Sequence, residues 1–260
     1  GFVGQYLGQE FAFAAQALMA FFAVALVFRF MIPAPNSVRH ASMHGFSGRV
    51  AVTVSENRGV FMRVGPAVIA LGLLRQARQV FLPLWGDQIG LSAGQIGLIT
   101  SASFFVDAAM FYPIALIMDS KGRKWVAVPC LAILATGLLV LPLTYDFGTF
   151  LAVGMLTGLG NGLGSGINMT LGADFSPATG RGEFLGVWRL ISDIGQASGP
   201  LVIGALTGIG SLAVASLASG GIGVGGAAIM LLLVPETLNR AHRAIVVARA
   251  PAEEPTAGSG

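Results

Sequence analysis

The chain contains 260 residues, of which 54% are apolar and 10% are charged, and its formal net charge is +3. A soluble domain carries about a quarter charged residues, so this composition, with a mean hydropathy of +0.77, excludes a water-soluble globular protein and predicts an all-α integral membrane protein. The single Cys130 excludes an intrachain disulfide, the three histidines lack metal-ligand spacing, and we expect neither a metal site nor a cofactor.

Seven apolar segments follow one another, each long enough to cross a hydrocarbon core of ~30 Å as a helix. Residues 1–32 contain the first span. The polar segment 33–59 that follows is predicted to be a connector, and 239–260 is predicted to be a disordered tail. The chain starts with Gly and becomes apolar almost at once, so we expect a fragment of a longer protein. The seven predicted spans are 11–32, 60–83, 93–117, 125–144, 148–172, 184–209 and 212–234.

The distribution of basic residues predicts the orientation. The loops at 84–92, 145–149 and 210–211 contain no Lys or Arg, whereas the connector, the 118–124 and 173–183 loops and the tail do. The positive-inside rule places this second set in the cytoplasm, and we expect a plasma (inner) membrane location. Because the basic residues lie at the ends of apolar segments, the expected partner is a lipid bilayer and not nucleic acid.

Two arginines lie in the outer half of the 60–83 span, where a charge is expensive and usually functional. Arg75 and Gln79 share a helical face at i,i+4, with Arg78 close by. Either arginine could bind an anionic group or tune a nearby carboxylate. The alternative is that the side chain only extends to the outer membrane interface, which we favour for Arg78 and not for Arg75.

Asp107 lies near the middle of the 93–117 span. A carboxylic acid surrounded by apolar groups holds its proton more tightly than in water, so Asp107 is a candidate proton carrier for proton-coupled transport. The alternative is a structural hydrogen bond or a salt bridge, for instance to Arg75.

The charged stretch MDSKGRK, 118–124, separates two apolar spans and predicts a tight turn that glycine makes possible. It resembles the loop signature of the major facilitator superfamily, Gly-x-x-x-Asp-basic-x-Gly-Arg-basic, with Ala115 and Ser120 as the two departures. The resemblance implies a cytoplasmic gate whose cations pair with carboxylates on neighbouring helices. The alternative is a basic loop that only sets orientation. The matching residues are Asp119, Gly122, Arg123 and Lys124.

The 148–172 span contains GLGNGLGSG, in which glycines four residues apart fall on one helical face. Such a face serves tight helix packing or lines a substrate cavity, and Asn161 and Asn168 are its candidate polar contacts. The stretch does not satisfy Gly-x-Gly-x-x-Gly, which excludes a dinucleotide-binding loop. In the following loop, Asp174 and Arg181 could join the 118–124 residues in one cytoplasmic network.

Arg189 and Asp193 lie one helical turn apart in the 184–209 span. We expect an intrahelical pair, the alternative being a lock between helices that rearranges as a cavity opens. The same span carries a Gly-Pro pattern that resembles one in drug/proton antiporters of this superfamily, with Ile203 replacing one glycine. Generic helix packing is the alternative. The residues of the pattern are Gly186, Gly195, Gly199, Pro200 and Gly204.

The resemblance implies a twelve-helix transporter in which 60–238 is the C-terminal six-helix half, 11–32 the sixth helix and 33–59 the central connector. It implies alternating-access transport of a small solute. Asp107 leads us to expect protons as the coupling ion, and the Gly-Pro pattern favours efflux. The missing N-terminal half is then a partner. We do not expect an enzyme, since no His, Asp or Glu cluster marks a transferase site. A seven-helix receptor is the other alternative, which the short loops disfavour.

Overall fold

The computed structural model describes residues 9–30 and 43–237, and every regular element in this part of the chain is a helix. Residues 33–42 of the predicted connector and the predicted tail, 239–260, lie outside the described residues. A 3-10 helix, Leu141–Leu143, extends the sixth helix. The α-helices are α1 Gln9–Phe30, α2 Met43–Glu56, α3 Arg58–Gln88, α4 Ala93–Ala109, α5 Phe111–Lys121, α6 Lys124–Val140, α7 Phe147–Leu163, α8 Ile167–Phe175, α9 Arg181–Ile209 and α10 Leu212–Leu233.

Five stretches of helix are long and apolar enough to cross a membrane, which confirms the predicted membrane bundle. The 29-residue α9 has the length as well, but Arg189, Asp193 and Gln196 make it less apolar. The first predicted span falls on α1, in which Ala17–Leu26 is a shorter apolar segment. The five stretches are Arg58–Gln88, Ala93–Lys121, Lys124–Leu143, Phe147–Phe175 and Leu212–Leu233.

Two predicted spans, 93–117 and 148–172, each coincide with one membrane-length stretch but contain an interruption that the sequence pattern did not predict. The first divides into α4 and α5 at Met110, and the second into α7 and α8 across residues 164–166. Gly166 has φ +77°, a left-handed conformation that glycine adopts without strain. Non-helical backbone at membrane depth needs a protein partner, and the Gly164 carbonyl accepts a hydrogen bond from Arg75.

The helix contacts follow an inverted repeat of two three-passage units, α3 to α6 and α7 to α10. In the first unit α3 packs on α9 and α10, and in the second α7 packs correspondingly on α4 and α6. The third passages of the two units, α6 and α10, pack on each other. Since α3 and α7 run in opposite directions, this contact pattern is the one expected of two inverted repeats.

Glycine permits the closest helix contacts in both units. A Cβ on Gly72 of α3 would lie 2.9 Å from the Ser192 carbonyl oxygen of α9, and one on Gly162 of α7 would lie 2.7 Å from the Asp107 carbonyl oxygen of α4. These distances are too short for real Cβ contacts, so only glycine lets the backbones approach this far. The glycines of α7 therefore serve tight packing, the first of the two expected uses.

The two ends of the bundle differ in charge. The end formed by the 122–123 and 176–180 loops, which we call the basic end, carries Arg123 and Lys124. At the far end, the loops at 89–92, 144–146 and 210–211 begin helices with capping side chains, and Asp146 accepts from the Thr149 backbone N–H at 3.0 Å. This hydrogen bond, together with one from the Thr149 hydroxyl, lowers the pKa of Asp146.

The predicted connector contains a helix, α2, which its composition did not indicate. It packs on α9 and α3 at the basic end, where Arg49 pairs with Glu183 at 3.3 Å. On the bundle surface, large apolar side chains are exposed, as a lipid environment requires. Examples are Met62, Phe105, Tyr112, Trp125, Leu201 and Leu232.

Candidate functional site

A buried charge cluster joins α3, α4 and α7 inside the bundle. The Asp107 carboxylate oxygen Oδ2 accepts hydrogen bonds from Asn161 Nδ2 at 2.6 Å and from Arg78 at 3.4 Å. Arg78 is only 2% exposed and Asp107 8%. The other carboxylate oxygen, Oδ1, is buried and has no hydrogen-bond partner within the described residues. The cluster therefore holds a carboxylate with one oxygen engaged and one open.

Ser103 completes this cluster from one turn before Asp107. Its hydroxyl accepts a hydrogen bond from Arg78 at 2.7 Å and donates one to the Gly154 carbonyl at 2.5 Å. The Arg78 guanidinium also lies over the Phe104 ring, 5.1 Å from its centre. Arg78 thus has a carboxylate, a hydroxyl and an aromatic face around it, as a buried cation needs.

The structure corrects two expectations about the arginines. Arg78 does not extend to the membrane interface, because α3 continues to Gln88 and leaves Arg78 about ten residues, ~15 Å, inside the helix end. Asp107 pairs with Arg78 and not with Arg75. The two arginines are three residues apart, so helical spacing alone did not decide between them. Gln79, predicted to share a face with Arg75, is exposed.

A cavity of about 270 Å³ lies between α3, α8 and α9. Ten residues line it, among them Gly166 and Met169 at the start of α8 and Gly72 on α3. The polar side chains on its wall are Arg75, Asn168, Arg189, Ser192 and Gln196. The broken passage α7–α8 therefore turns its irregular backbone toward the cavity, where membrane proteins tolerate such breaks.

Asn168 lies in a second hydrogen-bonded group on this wall. Its amide donates to the Ser192 hydroxyl at 2.8 Å, and its oxygen accepts from the Trp188 indole at 3.0 Å. These bonds tie α8 to α9. The predicted polar residues Asn161 and Asn168 are thus placed in different groups, one at the charge cluster and one at the cavity.

Arg189 and Asp193 form the expected intrahelical pair, with 3.0 Å between the charged atoms. Both side chains are about half exposed, at 63% and 49%, so the pair by itself adds little stability. Arg189 also lies on the cavity wall, and Asp193 does not.

At the basic end a second cluster ties the 118–124 turn to the ends of α8 and α10. Arg123 Nε donates to Asp174 at 2.9 Å, and the Thr237 hydroxyl donates to the same carboxylate oxygen at 2.7 Å. Glu236 accepts from the backbone N–H groups of Arg123 and Lys124, at 2.9 and 3.1 Å. Because its carboxylate caps the exposed start of α6, this contact also complements the helix dipole.

Gly122 makes this arrangement possible. Its φ of +112° disfavours other residues, and an added Cβ would lie 2.6 Å from the Glu236 carboxylate. Asp119 is only a marginal partner, 4.0 Å from Arg123 and 74% exposed. Arg181, at the start of α9, is exposed and forms no ion pair with a described residue. The structure therefore brings Arg123 and Asp174 together, as expected, but not Arg181.

The Gly-Pro pattern divides in two along α9. Gly195 and Gly199 are buried against α3, where added Cβ atoms would lie 2.5 Å from the Ile69 carbonyl oxygen and 3.0 Å from Gln76 Cβ. Gly186 and Gly204 have open space around them, and Pro200 is exposed within an uninterrupted helix. Only the Gly195–Gly199 portion is a helix-packing face in this bundle.

Several residues of these groups were not among the predicted ones. Ser103 was detectable in the sequence, because it lies four residues before Asp107 on the same helical face. Glu236 and Thr237 follow the last predicted span, but the sequence does not show which turn they reach. Ser192 and Gln196 lie on an apolar helix without any distinguishing pattern.

Comparison with known proteins supports one family. A family model described as Major Facilitator Superfamily matches residues 64–255, well over half of the chain. No curated protein matches the chain. The matched range includes the charge cluster, the cavity and the cluster at the basic end.

Proposed function

We propose that this chain, which belongs to the major facilitator superfamily, works as part of a proton-coupled secondary transporter that moves a small solute by alternating access. The family consists of membrane transporters and not enzymes, so the coarse function is transport of small solutes across a membrane. The proposal concerns the coupling ion, the residues that carry it and the moving parts.

The observation that carries the proposal is the buried Asp107 carboxylate. It lies about 14 residues, ~21 Å, into the 29-residue passage formed by α4 and α5, close to the membrane midplane. Charge at that depth is costly unless it is used. A proton on Oδ1 would leave the hydrogen bonds to Oδ2 in place, so Asp107 can change its charge without dismantling the cluster.

Arg78 and Arg75 take different roles in this proposal. Arg78 is the direct electrostatic partner of Asp107, and protonation of Asp107 would leave Arg78 with the neutral Ser103 hydroxyl and the Phe104 ring as its side-chain contacts. Arg75 lies on the cavity wall and anchors the substrate. A change of charge at Asp107 would therefore alter the field at the cavity, which links proton and substrate.

The cluster at the basic end is proposed to be the cytoplasmic gate. The Arg123–Asp174 ion pair and the Glu236 cap hold the turn against two helix ends. Asp119 is exposed on the bundle surface and remains accessible to another part of the transporter. The full gate and cavity would then need a second six-helix half, with 60–238 as the half present here. Export, as opposed to import, is supported only by the likeness of the Gly-Pro pattern to drug/proton antiporters.

The test of proton coupling uses the full-length protein in vesicles loaded with a pH-sensitive dye. Outward gradients of benzenesulfonate, choline or mannitol would be imposed in turn, because these represent anionic, cationic and neutral solutes that cross lipid slowly. We expect one class to drive proton flux in the wild type and Asp107→Asn to abolish that flux.

The matched control is Asp87→Asn, the same substitution at an exposed carboxylate near the far end of α3. It should leave proton flux within about twofold of the wild type, as expected for a surface substitution. Solute movement without proton flux in the wild type would refute the coupling, and unchanged flux in Asp107→Asn would remove Asp107 from it.

A further inference from the structure

We infer that the cavity between α3, α8 and α9 is an anion site and that the transported solute carries a carboxylate or a similar single negative charge. This inference rests on the proposed function, since it names the substrate class of the cavity described there. Its basis is the charge of the wall: two arginines, Arg75 and Arg189, and no carboxylate among the ten lining residues.

The arginines of the bundle differ in how their charges are neutralised. Arg78 has Asp107, and Arg189 has the half-exposed Asp193. None of the ion pairs among the described residues includes Arg75. Its guanidinium donates a hydrogen bond to the neutral Gly164 carbonyl. Arg75 is therefore a cation at membrane depth without a counter-charge from these residues.

The depth of Arg75 makes this imbalance costly. It lies about 17 residues, ~26 Å, from the start of the 31-residue α3, too far from either end for the side chain to reach water along the helix. Its Nε is buried and lacks a hydrogen-bond partner within the described part of the chain. A guanidinium offers five donors in a planar fork that matches a carboxylate. Nε is buried and one Nη2 donor goes to the Gly164 carbonyl, so the remaining terminal N–H groups are the ones left for a ligand.

The other polar groups on the wall fit an anion too. The first turn of α8 contributes Asn168 and Met169 to the cavity, so the positive end of that helix dipole lies against it. The Gln196 amide donates to Asp193 at 3.3 Å and has a second N–H group as a further donor on the α9 side. Because Asp193 does not line the cavity, Arg189 can turn from its exposed intrahelical pair toward a bound anion at small cost.

The cavity has room for the charged group of a solute. Its volume of about 270 Å³ lies just below the ~300–1,000 Å³ typical of small-molecule sites. The second six-helix half would bound the rest of the site, so the inference names the anionic group that this cavity holds and not the size of the whole solute.

Binding would be measured by calorimetry on the detergent-purified full-length protein with acetate, benzoate and benzenesulfonate, and with choline and mannitol for comparison. We expect at least one anion to bind and neither choline nor mannitol to compete with it. Arg75→Gln should weaken that binding about tenfold or more, because a charge-assisted, bidentate contact is lost. Arg75→Lys keeps the charge but not the fork and should fall between the two.

The matched control is Arg63→Gln, the same substitution at an exposed arginine nearer the basic end of α3, which should leave the affinity unchanged. If Arg75→Gln does not fold, competition by sulfate against the bound anion in the wild type supplies the second measurement. Three results would overturn the inference. The first is that none of the three anions binds, and the second is that choline competes with the bound anion. The third is that Arg75→Lys and the wild type have equal affinity and sulfate does not compete.

The outcomes separate this inference from the proposed function. Anion binding that depends on Arg75, combined with proton flux that survives Asp107→Asn, would uphold the anion site and refute the coupling. Asp107-dependent flux driven by choline or mannitol, without anion binding, would uphold the coupled transporter and refute the anion site.

Discussion

The contact between α3 and α9 depends on the absence of a side chain at Gly195. A Cβ added there would lie 2.5 Å from the Ile69 carbonyl oxygen and 2.8 Å from Ile69 Cα, where ordinary contacts begin at 3.4 Å. No side-chain rotation relieves this clash, because both atoms belong to the backbone. Gly195→Ala must therefore push the helices apart locally by up to about 0.9 Å, and a close-packed interior does not absorb this freely.

The expected cost is that of an overpacked core, ~1–3 kcal/mol. For a chain of this size, about 2 kcal/mol corresponds to a fall in Tm of about 4–8 °C. The α3–α9 contact also forms two walls of the cavity, so we expect a loss of ligand affinity together with the loss of stability.

Three other glycine-to-alanine variants grade the effect. Gly72→Ala meets the Ser192 carbonyl oxygen at 2.9 Å, and Gly199→Ala meets the Gln76 Cβ at 3.0 Å, whereas Gly204→Ala meets nothing within 4 Å. Thermal unfolding of the detergent-purified variants should give the largest fall for Gly195→Ala, smaller falls for Gly72→Ala and Gly199→Ala, and none for Gly204→Ala.

The reasoning would be refuted if Gly204→Ala lowered the Tm as much as Gly195→Ala. Equal stability of Gly195→Ala and the wild type would also refute it, because the backbone contact would then not limit the helix approach.

Two further predictions concern the ends of the bundle. Arg123→Ala leaves the part-buried Asp174 without its cation, so we expect a loss of up to about 3 kcal/mol in the free energy of unfolding. Turnover should fall more than substrate affinity, and a pure affinity loss would contradict a gating role. Exposed Asp119→Asn, the control, should change stability by under about 0.5 kcal/mol. At the far end, Thr149 lowers the pKa of Asp146 below its ordinary value of 3.8. The ionised cap therefore stabilises the fold above that pH. This stabilisation is lost as the pH falls through the lowered pKa of the folded state. Asp146→Asn does not titrate, so its Tm should fall less than that of the wild type between neutral pH and about pH 3, and equal falls would argue against the cap.

The sequence was sufficient for the features that depend on local composition. Apolar length predicted the membrane passages to within a few residues, and the 118–124 pattern predicted the turn at Gly122 and a cation, Arg123, in contact with a carboxylate of another helix. Both follow from short-range chemistry: a bilayer demands apolar length, and a turn with positive φ demands glycine.

The sequence was insufficient where the outcome depended on which helix faces meet. Arg75 and Arg78 have the same composition around them and similar depth, yet one pairs with Asp107 and the other lies on the cavity wall. Likewise, nothing local distinguished Gly195, buried against a backbone, from Gly204, which faces open space.

By itself, then, the sequence determined that this is a helical membrane protein, roughly where its membrane passages lie, and which turn contains the family signature. Only the tertiary structure decided which carboxylate each arginine meets, where two helices break, and that the wall of the cavity contains two arginines and no carboxylate. The physical reason is that helix period and hydropathy are properties of neighbouring residues, whereas the pairing of buried charges depends on the rotation and spacing of helices that are far apart in the chain.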